Sequence, residues 1–165
     1  MNKEINHFTE KYEKFEYSFI ENPEFLEDKN LVTCVSSMLT YKWKIYLTKN
    51  HRGWELPWGH IEKGENFDSA LDREMAEEIW TKVKNKKLFW YKKYKNYNKI
   101  KNRDWGFYPF PYSYILFYIW EATGKECKID CPDTLDYWLF TLKEALGKVE
   151  SEWTRRIIEI ISKNI

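Results

Sequence analysis

Cysteine is scarce in this chain: its 165 residues hold three, Cys34, Cys127 and Cys131. An odd and sparse set is unlike the dense, even pattern of a disulfide scaffold, so a reducing, cytoplasmic setting is expected. The Cys127 and Cys131 spacing could in principle hold zinc. However, His7, His51 and His60 are far away in sequence and there is no second cysteine pair, so ordinary strand or loop cysteines are expected instead. Long apolar runs are missing as well. The longest, Tyr112 to Trp120, is interrupted by Ser113 and covers about nine residues, where a membrane span needs roughly 20. Residues 1–19 intersperse charges every few positions and contain no apolar stretch of the kind a secretory signal needs, so neither export by that route nor a membrane association is expected. A surplus of one charge is absent too: 27 basic and 26 acidic residues leave +1, which taken whole argues against a polyanion-binding surface. No internal repeat or low-complexity tract appears.

What the chain does have is apolar and aromatic material. Hydrophobic residues make up 43%, charged residues 32% and aromatics 19%, with nine Trp and twelve Tyr, which excludes disordered and collagen-like classes. The length suits one domain with a real core. Residues 1–28 read as an N-terminal packing arm, with Phe8, Tyr12, Phe15 and Phe19 at helical spacings of three and four before Asn22-Pro23. Leu31 to Thr40 and Trp43 to Thr48 read as antiparallel strands, followed by a glycine-bearing loop from Lys49 to Glu65. Asn66 can cap a helix running to about Trp80, with Asp68 in its first turn. Strand patterns return at Leu88 to Tyr94, Tyr112 to Glu121 and Tyr137 to Phe140. A helical turn at Leu142 to Leu146, ended by Gly147, and an amphipathic helix from Ser151 to Lys163 close the chain.

The informative stretch is Gly59 to Glu78. On a helical wheel with Leu71 at zero, Phe67, Met75 and Ile79 fall between about −40° and +80°, and Ala70 near about −100°, which defines the buried stripe. Glu74 then lies near about −60° and Glu78 near about −20°, inside that stripe, with Glu77 beside it near about −120°. Burying a lone carboxylate costs several kcal/mol, so this placement makes sense if cations occupy the space in front of it. Three carboxylates at i, i+3 and i+4 offer hard oxygen ligands suited to Mg²⁺ or Mn²⁺, with positions left for water and phosphate oxygens. The plain alternative is a solvated helix face held by pairs such as Arg73 with Glu77.

These residues resemble the Nudix box, G-x5-E-x7-R-E-U-x-E-E-x-G-U with U a bulky apolar residue. Gly59, Glu65, Arg73, Glu74, Met75, Glu77 and Glu78 fall on its positions in order. Matching the fixed Gly, Glu and Arg positions by chance has a probability on the order of 10⁻⁷ per start point. Trp80 replaces the family Gly, Thr81 replaces its apolar residue, and Trp58 stands where a second Gly is common. The resemblance to this MutT-like family implies an α+β fold, an α/β/α sandwich around a mixed sheet, over residues 29–165. It implies hydrolysis of a phosphoanhydride in a nucleoside diphosphate derivative, with Mg²⁺ or Mn²⁺. Carried over by position, Glu77 and Glu78 bind metal, Glu74 binds metal or acts as general base, the Gly59 carbonyl is a further ligand, and Arg73 and Glu65 orient the carboxylates. The catalytic set is thus Glu74, Glu77, Glu78, Arg73 and Glu65, with the base shared among the glutamates.

Specificity has weaker signals. Between Ile79 and Asp104 there is no acidic residue, and Lys82, Lys84, Lys86, Lys87, Lys92, Lys93, Lys95, Lys99, Lys101 and Arg103 give that segment +10. Aromatics interleave with these charges, as a nucleotide polyphosphate or an RNA end would require, although an exposed lysine-rich hairpin reads equally from the same residues. Asp133 and Asp136 are candidates for an acidic group outside the box or are ordinary loop acids. Arg52, Trp54, Asp133 and Tyr112 are the substrate-binding candidates. Three readings follow: hydrolysis of an NTP, a dinucleoside polyphosphate or a nucleotide sugar; pyrophosphohydrolysis or decapping at an RNA 5′ end; and a Nudix-fold sensor that binds a nucleotide without cleaving it. The isopentenyl diphosphate isomerase relatives need a cysteine setting not found here. A monomer and a homodimer both remain open.

Overall fold

The computed structural model describes residues 5–21, 26, 28–79, 81–102, 106–124 and 131–163. Cys127, Trp80, Arg103 and the Asn22-Pro23 stop lie outside the described residues. The chain runs β1 (Ile5–Lys11), β2 (Phe15–Glu21), β3 (Val32–Tyr41), β4 (Lys44–Asn50), β5 (Gly53–Glu55), β6 (Trp58–His60), α1 (Phe67–Glu78), β7 (Val83–Asn96), β8 (Lys101–Asn102), β9 (Gly106–Phe107), β10 (Tyr112–Ala122), β11 (Asp136–Thr141), α2 (Leu142–Lys148) and α3 (Glu152–Ser162). Strands pair in the order β1-β2-β7-β10-β3-β4-β11, with β5 on β4 and β6 on β3, while β8 and β9 form a separate ribbon. This is the expected α+β class, a mixed sheet with three helices. Among the described residues no helix is long and apolar enough to cross a membrane. The chain divides into two units of interleaved segments: Met1–Ser36, Gly59–Ala70 and Lys87–Tyr118 in the first; Ser37–Trp58, Leu71–Lys86 and Ile119–Ile165 in the second.

In the first unit the N-terminal residues form a β-hairpin rather than the helical arm that their three-and-four spacing suggested. Phe15, Tyr17 and Phe19 also alternate with period two, which puts all three on one face of β2. The neighbouring strand β7 adds side chains to that face, its antiparallel register setting Tyr17 opposite Tyr94 and Phe19 opposite Lys92. Phe19 stacks on Trp90 at 4.8 Å and meets Phe117 edge-on at 5.4 Å. It is fully buried, a transfer worth about 1.5–3 kcal/mol. The strand conformation wins because β7 supplies both the ladder bonds and the aromatic surface.

Lysines of the basic segment are drawn into these contacts. Lys92 is only 1% exposed, its Nζ lying 3.7 Å from the Tyr17 ring centroid and 4.6 Å from that of Tyr94. Lys95 pairs with Glu16 at 3.2 Å, and Lys93 lies over the Tyr112 ring at 5.0 Å.

The second unit holds the β4-β11 pair and the two short helices. Thr141 and Glu144 form a reciprocal capping box at the start of α2, and Ser151 caps α3. The Arg155 guanidinium donates to the Leu146 and Val149 carbonyls at 3.1 and 2.9 Å, satisfying acceptors that the end of α2 leaves open. Ile157, Ile158 and Ile161 fill the core side of α3. Lys84 pairs with Glu121 at 3.2 Å and Lys86 with Asp72 at 3.1 Å, so these two basic residues also face acids.

Candidate active site

The box helix starts as its sequence dictates: the Asn66 side chain accepts from Ser69 N at 2.9 Å, and the Asn66 carbonyl accepts from Ala70 N at 2.9 Å. Ala70, Leu71, Met75 and Ile79 are buried, which fixes the rotation of the helix. The glutamates follow the order of the wheel. Glu78 is buried at 9% exposure, the Glu74 side chain is 12% exposed, and the Glu77 side chain, furthest from the stripe, is 42% exposed. Arg73 sits between the latter two, its Nη1 donating to Glu74 Oε1 at 2.8 Å and reaching Glu77 Oε2 at 3.5 Å.

Glu78 is held from two directions. The main-chain N–H of Trp58 donates to its Oε2 at 3.0 Å, and the Thr134 hydroxyl donates to its Oε1 at 3.4 Å. Burial pushes the Glu78 carboxyl up to about 8; those two hydrogen bonds act against the rise, and the neighbouring Glu74 and Glu55 carboxylates add to it.

Glu55 is a residue that sequence reasoning missed. The β4-β5 hairpin pairs Asn50 with Gly53 and leaves His51 and Arg52 as its two-residue tip. Gly53 takes φ +110°, which side-chain-bearing residues rarely adopt, and a Cβ there would stand 2.8 Å from the Glu150 carboxyl carbon. Alternation along β5 then turns Glu55 inward, where its Oε1 accepts from Arg52 Nη2 at 2.9 Å, from Trp58 Nε1 at 3.0 Å and from Asn50 Nδ2. The Arg52 guanidinium also lies over the Trp58 indole, 5.1 Å from its centroid. Three residues are too few for a period to show, so nothing in the sequence separated Glu55 from a loop acid. Nothing in the sequence separates Thr134 from the polar loop residues around it, because its partner Glu78 lies 56 positions away along the chain.

The second unit therefore brings Arg52, Arg73, Glu74, Glu77 and Glu78 into a network with Glu55, Trp58 and Thr134. Trp54 is turned to the other face of β5, edge-on to Phe140 at 5.1 Å. Asp133 is exposed in the turn before Thr134, and the Asp136 carboxylate accepts from the N–H of Tyr137. In the first unit, Gly59 is buried in β6, and Glu65 closes the turn after it: Glu62 N donates to Glu65 Oε2 at 3.0 Å and Glu65 N to the Glu62 carbonyl at 3.1 Å. Tyr112, also in that unit, carries Lys93 on its ring.

A mixed sheet with three helices, one of them carrying a half-buried carboxylate ladder, defines a class of fold built around an acidic centre. The family model described as the NUDIX domain matches residues 34–160, and the chain belongs to the Nudix family. No curated protein matches it. Among solved structures it is similar to the pyrophosphohydrolase BsRppH of Bacillus subtilis, at 20% identity and a TM-score of 0.58, covering 76% of this chain and 72% of that one. It is also similar to the dihydroneopterin triphosphate pyrophosphohydrolase of E. coli, at 14% identity and a TM-score of 0.56, covering 81% and 96%. The NUDIX domain of Shewanella oneidensis NrtR complexed with ADP ribose is similar at 16% identity and a TM-score of 0.55, covering 87% and 92%. At these identities the likeness shows the fold.

Nudix hydrolases generally use a divalent metal. The donors present suit one: Glu55 and Glu74 both oppose ionisation of buried Glu78, and a hard dication among such oxygens offsets that repulsion. Among the described residues no three or more Asp, Glu, His or Cys side chains stand close enough together to hold a metal ion as they are, and Glu74 and Glu77 are held by Arg73.

Proposed function

We propose that the chain is a hydrolase of phosphoanhydride bonds in nucleoside diphosphate derivatives such as an NTP, a dinucleoside polyphosphate or a nucleotide sugar. The observation that carries this reading is Glu78, a buried carboxylate fixed by the Trp58 N–H and the Thr134 hydroxyl, on the helix that also presents Glu74 and Glu77. A carboxylate is not desolvated beside two others for stability alone, because burial and like charge both oppose it.

Glu74, Glu77 and Glu78 would hold Mg²⁺ or Mn²⁺, with the Gly59 carbonyl as a further ligand. Bound there, the ion would neutralise the pyrophosphate and make water more acidic. The chain's own residues supply positioning. Trp58 and Thr134 fix both oxygens of Glu78, and Arg73 sets the orientation of Glu74 and Glu77. One of the three glutamates takes the proton of the attacking water, and Glu65 stays with the loop that precedes the helix.

Pyrophosphohydrolysis at an RNA end has less support. Lys84, Lys86 and Lys95 are paired with acids, and Lys92 is buried, so the +10 segment offers a polyanion less charge than its sequence does. Screening NTPs, dinucleoside polyphosphates, nucleotide sugars and capped RNA with Mg²⁺ tests the proposal. Turnover of a nucleotide is expected; a nucleotide that raises the melting temperature without being cleaved would favour a sensor instead.

A further inference from the structure

We propose that Trp58 is a specificity-determining residue of this chain, and that the Arg52 guanidinium laid over its indole forms the surface on which the nucleobase of the substrate stacks. This rests on the hydrolase reading above and deepens it.

Three features separate Trp58 from the core tryptophans. Trp90 and Trp120 are almost fully buried, and Trp54 is packed on Phe140, whereas Trp58 is half-buried and stands directly ahead of the box, where a second glycine is common. Its indole is pinned by the hydrogen bond from Nε1 to Glu55 Oε1 at 3.0 Å. The same oxygen accepts from Arg52 Nη2 at 2.9 Å, so one buried carboxylate oxygen fixes both the indole and the guanidinium above it.

Arg52 is tethered but not enclosed, since 65% of its side chain is exposed while that of Glu55 is 12% exposed. A guanidinium is planar and weakly hydrated, and it stacks on aromatic rings and on nucleobases alike. Laid on an indole and tied to Glu55, it extends the aromatic surface with a cationic face while little of its rotamer freedom is left to lose on binding. Trp58 also joins this surface to the carboxylate ladder, because its main-chain N–H holds Glu78 at 3.0 Å. A nucleotide carries its base at one end of the ribose and its phosphates at the other, and Trp58 offers a ring on its side chain while its main-chain N–H holds the Glu78 carboxylate. The ligand class is a nucleoside polyphosphate or dinucleotide; a polyphosphate without a base makes no use of the stack.

The test compares ATP, GTP, CTP, UTP, diadenosine tetraphosphate and ADP-ribose with inorganic tripolyphosphate as the base-free probe, by steady-state kinetics and calorimetry. Loss of base stacking is worth roughly 5- to 100-fold in affinity. Trp58→Gly is therefore expected to raise KM for the best nucleotide by about that factor, while tripolyphosphate binding stays unchanged. Trp58→Phe, which keeps a ring but loses the bond to Glu55, recovers most of the affinity, and Arg52→Ala loses it for nucleotides only. Should Trp58→Gly fail to fold, Trp58→Phe and Arg52→Ala decide. Equal weakening of nucleotide and tripolyphosphate, or an unchanged nucleotide KM in folded Trp58→Gly or Arg52→Ala, overturns the proposal while leaving the hydrolase reading intact. A wild-type protein that neither binds nor cleaves any nucleotide in the panel overturns both.

Discussion

Replacing Lys92 by Met should stabilise the protein, and the gain should depend on pH. Lys92 lies on β7 at 1% exposure, and burial lowers its ammonium from 10.5 to about 7, against a smaller opposing pull from Glu10. A displacement of that size corresponds to about 5 kcal/mol for burying the charge at full depth. The Tyr17 and Tyr94 ring faces at 3.7 and 4.6 Å work the other way and offset about 2 kcal/mol. The net cost is then about 3 kcal/mol, which Met avoids while filling similar space.

Below about pH 7 the lysine is protonated in both folded and unfolded chains, so the whole cost falls on the native state. At higher pH the native chain gives up this proton before the unfolded chain does, and native stability rises with pH until the cost is gone near 10.5. Urea unfolding of both proteins at pH 6, 7.5 and 9 reads this directly. With a slope of roughly 2 kcal/mol/M, Lys92→Met should raise the midpoint by about 1.5 M at pH 6 and by progressively less at higher pH. Burial raises Tyr17 and Tyr94 above the usual phenol value, so ionisation of these tyrosines would destabilise both proteins at still higher pH; it cancels in the comparison below about pH 9.5. A midpoint that falls at pH 6, or a difference independent of pH, would refute the reasoning and make the aromatic cradle a net source of stability.

Two further outcomes follow from the site. Thr134→Val removes the hydroxyl that donates to Glu78 Oε1 and should lower kcat by about tenfold, with Thr134→Ser restoring it; the melting temperature of each variant separates lost positioning from lost fold. Gly53→Ala forces a side chain onto φ +110° and against the Glu150 carboxyl, and should cost about 1–3 kcal/mol in chemical denaturation, an effect that Glu150→Ala relieves only in part because the backbone strain stays.

The box helix was legible because its start, its buried stripe and its glutamates all lie within a dozen consecutive residues, where a 3.6-residue period has room to show. The capping by Asn66 was legible for the same local reason. The N-terminal hairpin was not, since Phe8, Tyr12, Phe15 and Phe19 satisfy a helical spacing and Phe15, Tyr17 and Phe19 a strand spacing, and the deciding partner, β7, lies some 70 residues further on in pairs such as Ser18 with Lys93. Loop residues 49–65 hide two three-residue strands for want of length. Lys92 reads in sequence as one more solvated lysine, and only the pairing of β2 with β7 closes tyrosine faces over it. Thr134 matters through a contact with Glu78, 56 positions away along the chain, and Glu55 through a hairpin turn.

The most direct measurement is Mg²⁺-dependent phosphate or nucleotide release from the best substrate by the wild-type chain and by Glu77→Gln and Glu78→Gln, with unfolding monitored alongside. The account predicts a loss of about 10²- to 10⁴-fold in kcat for each variant with the fold retained. Undiminished turnover by folded Glu77→Gln and Glu78→Gln would contradict the assignment of the carboxylate ladder as the catalytic centre.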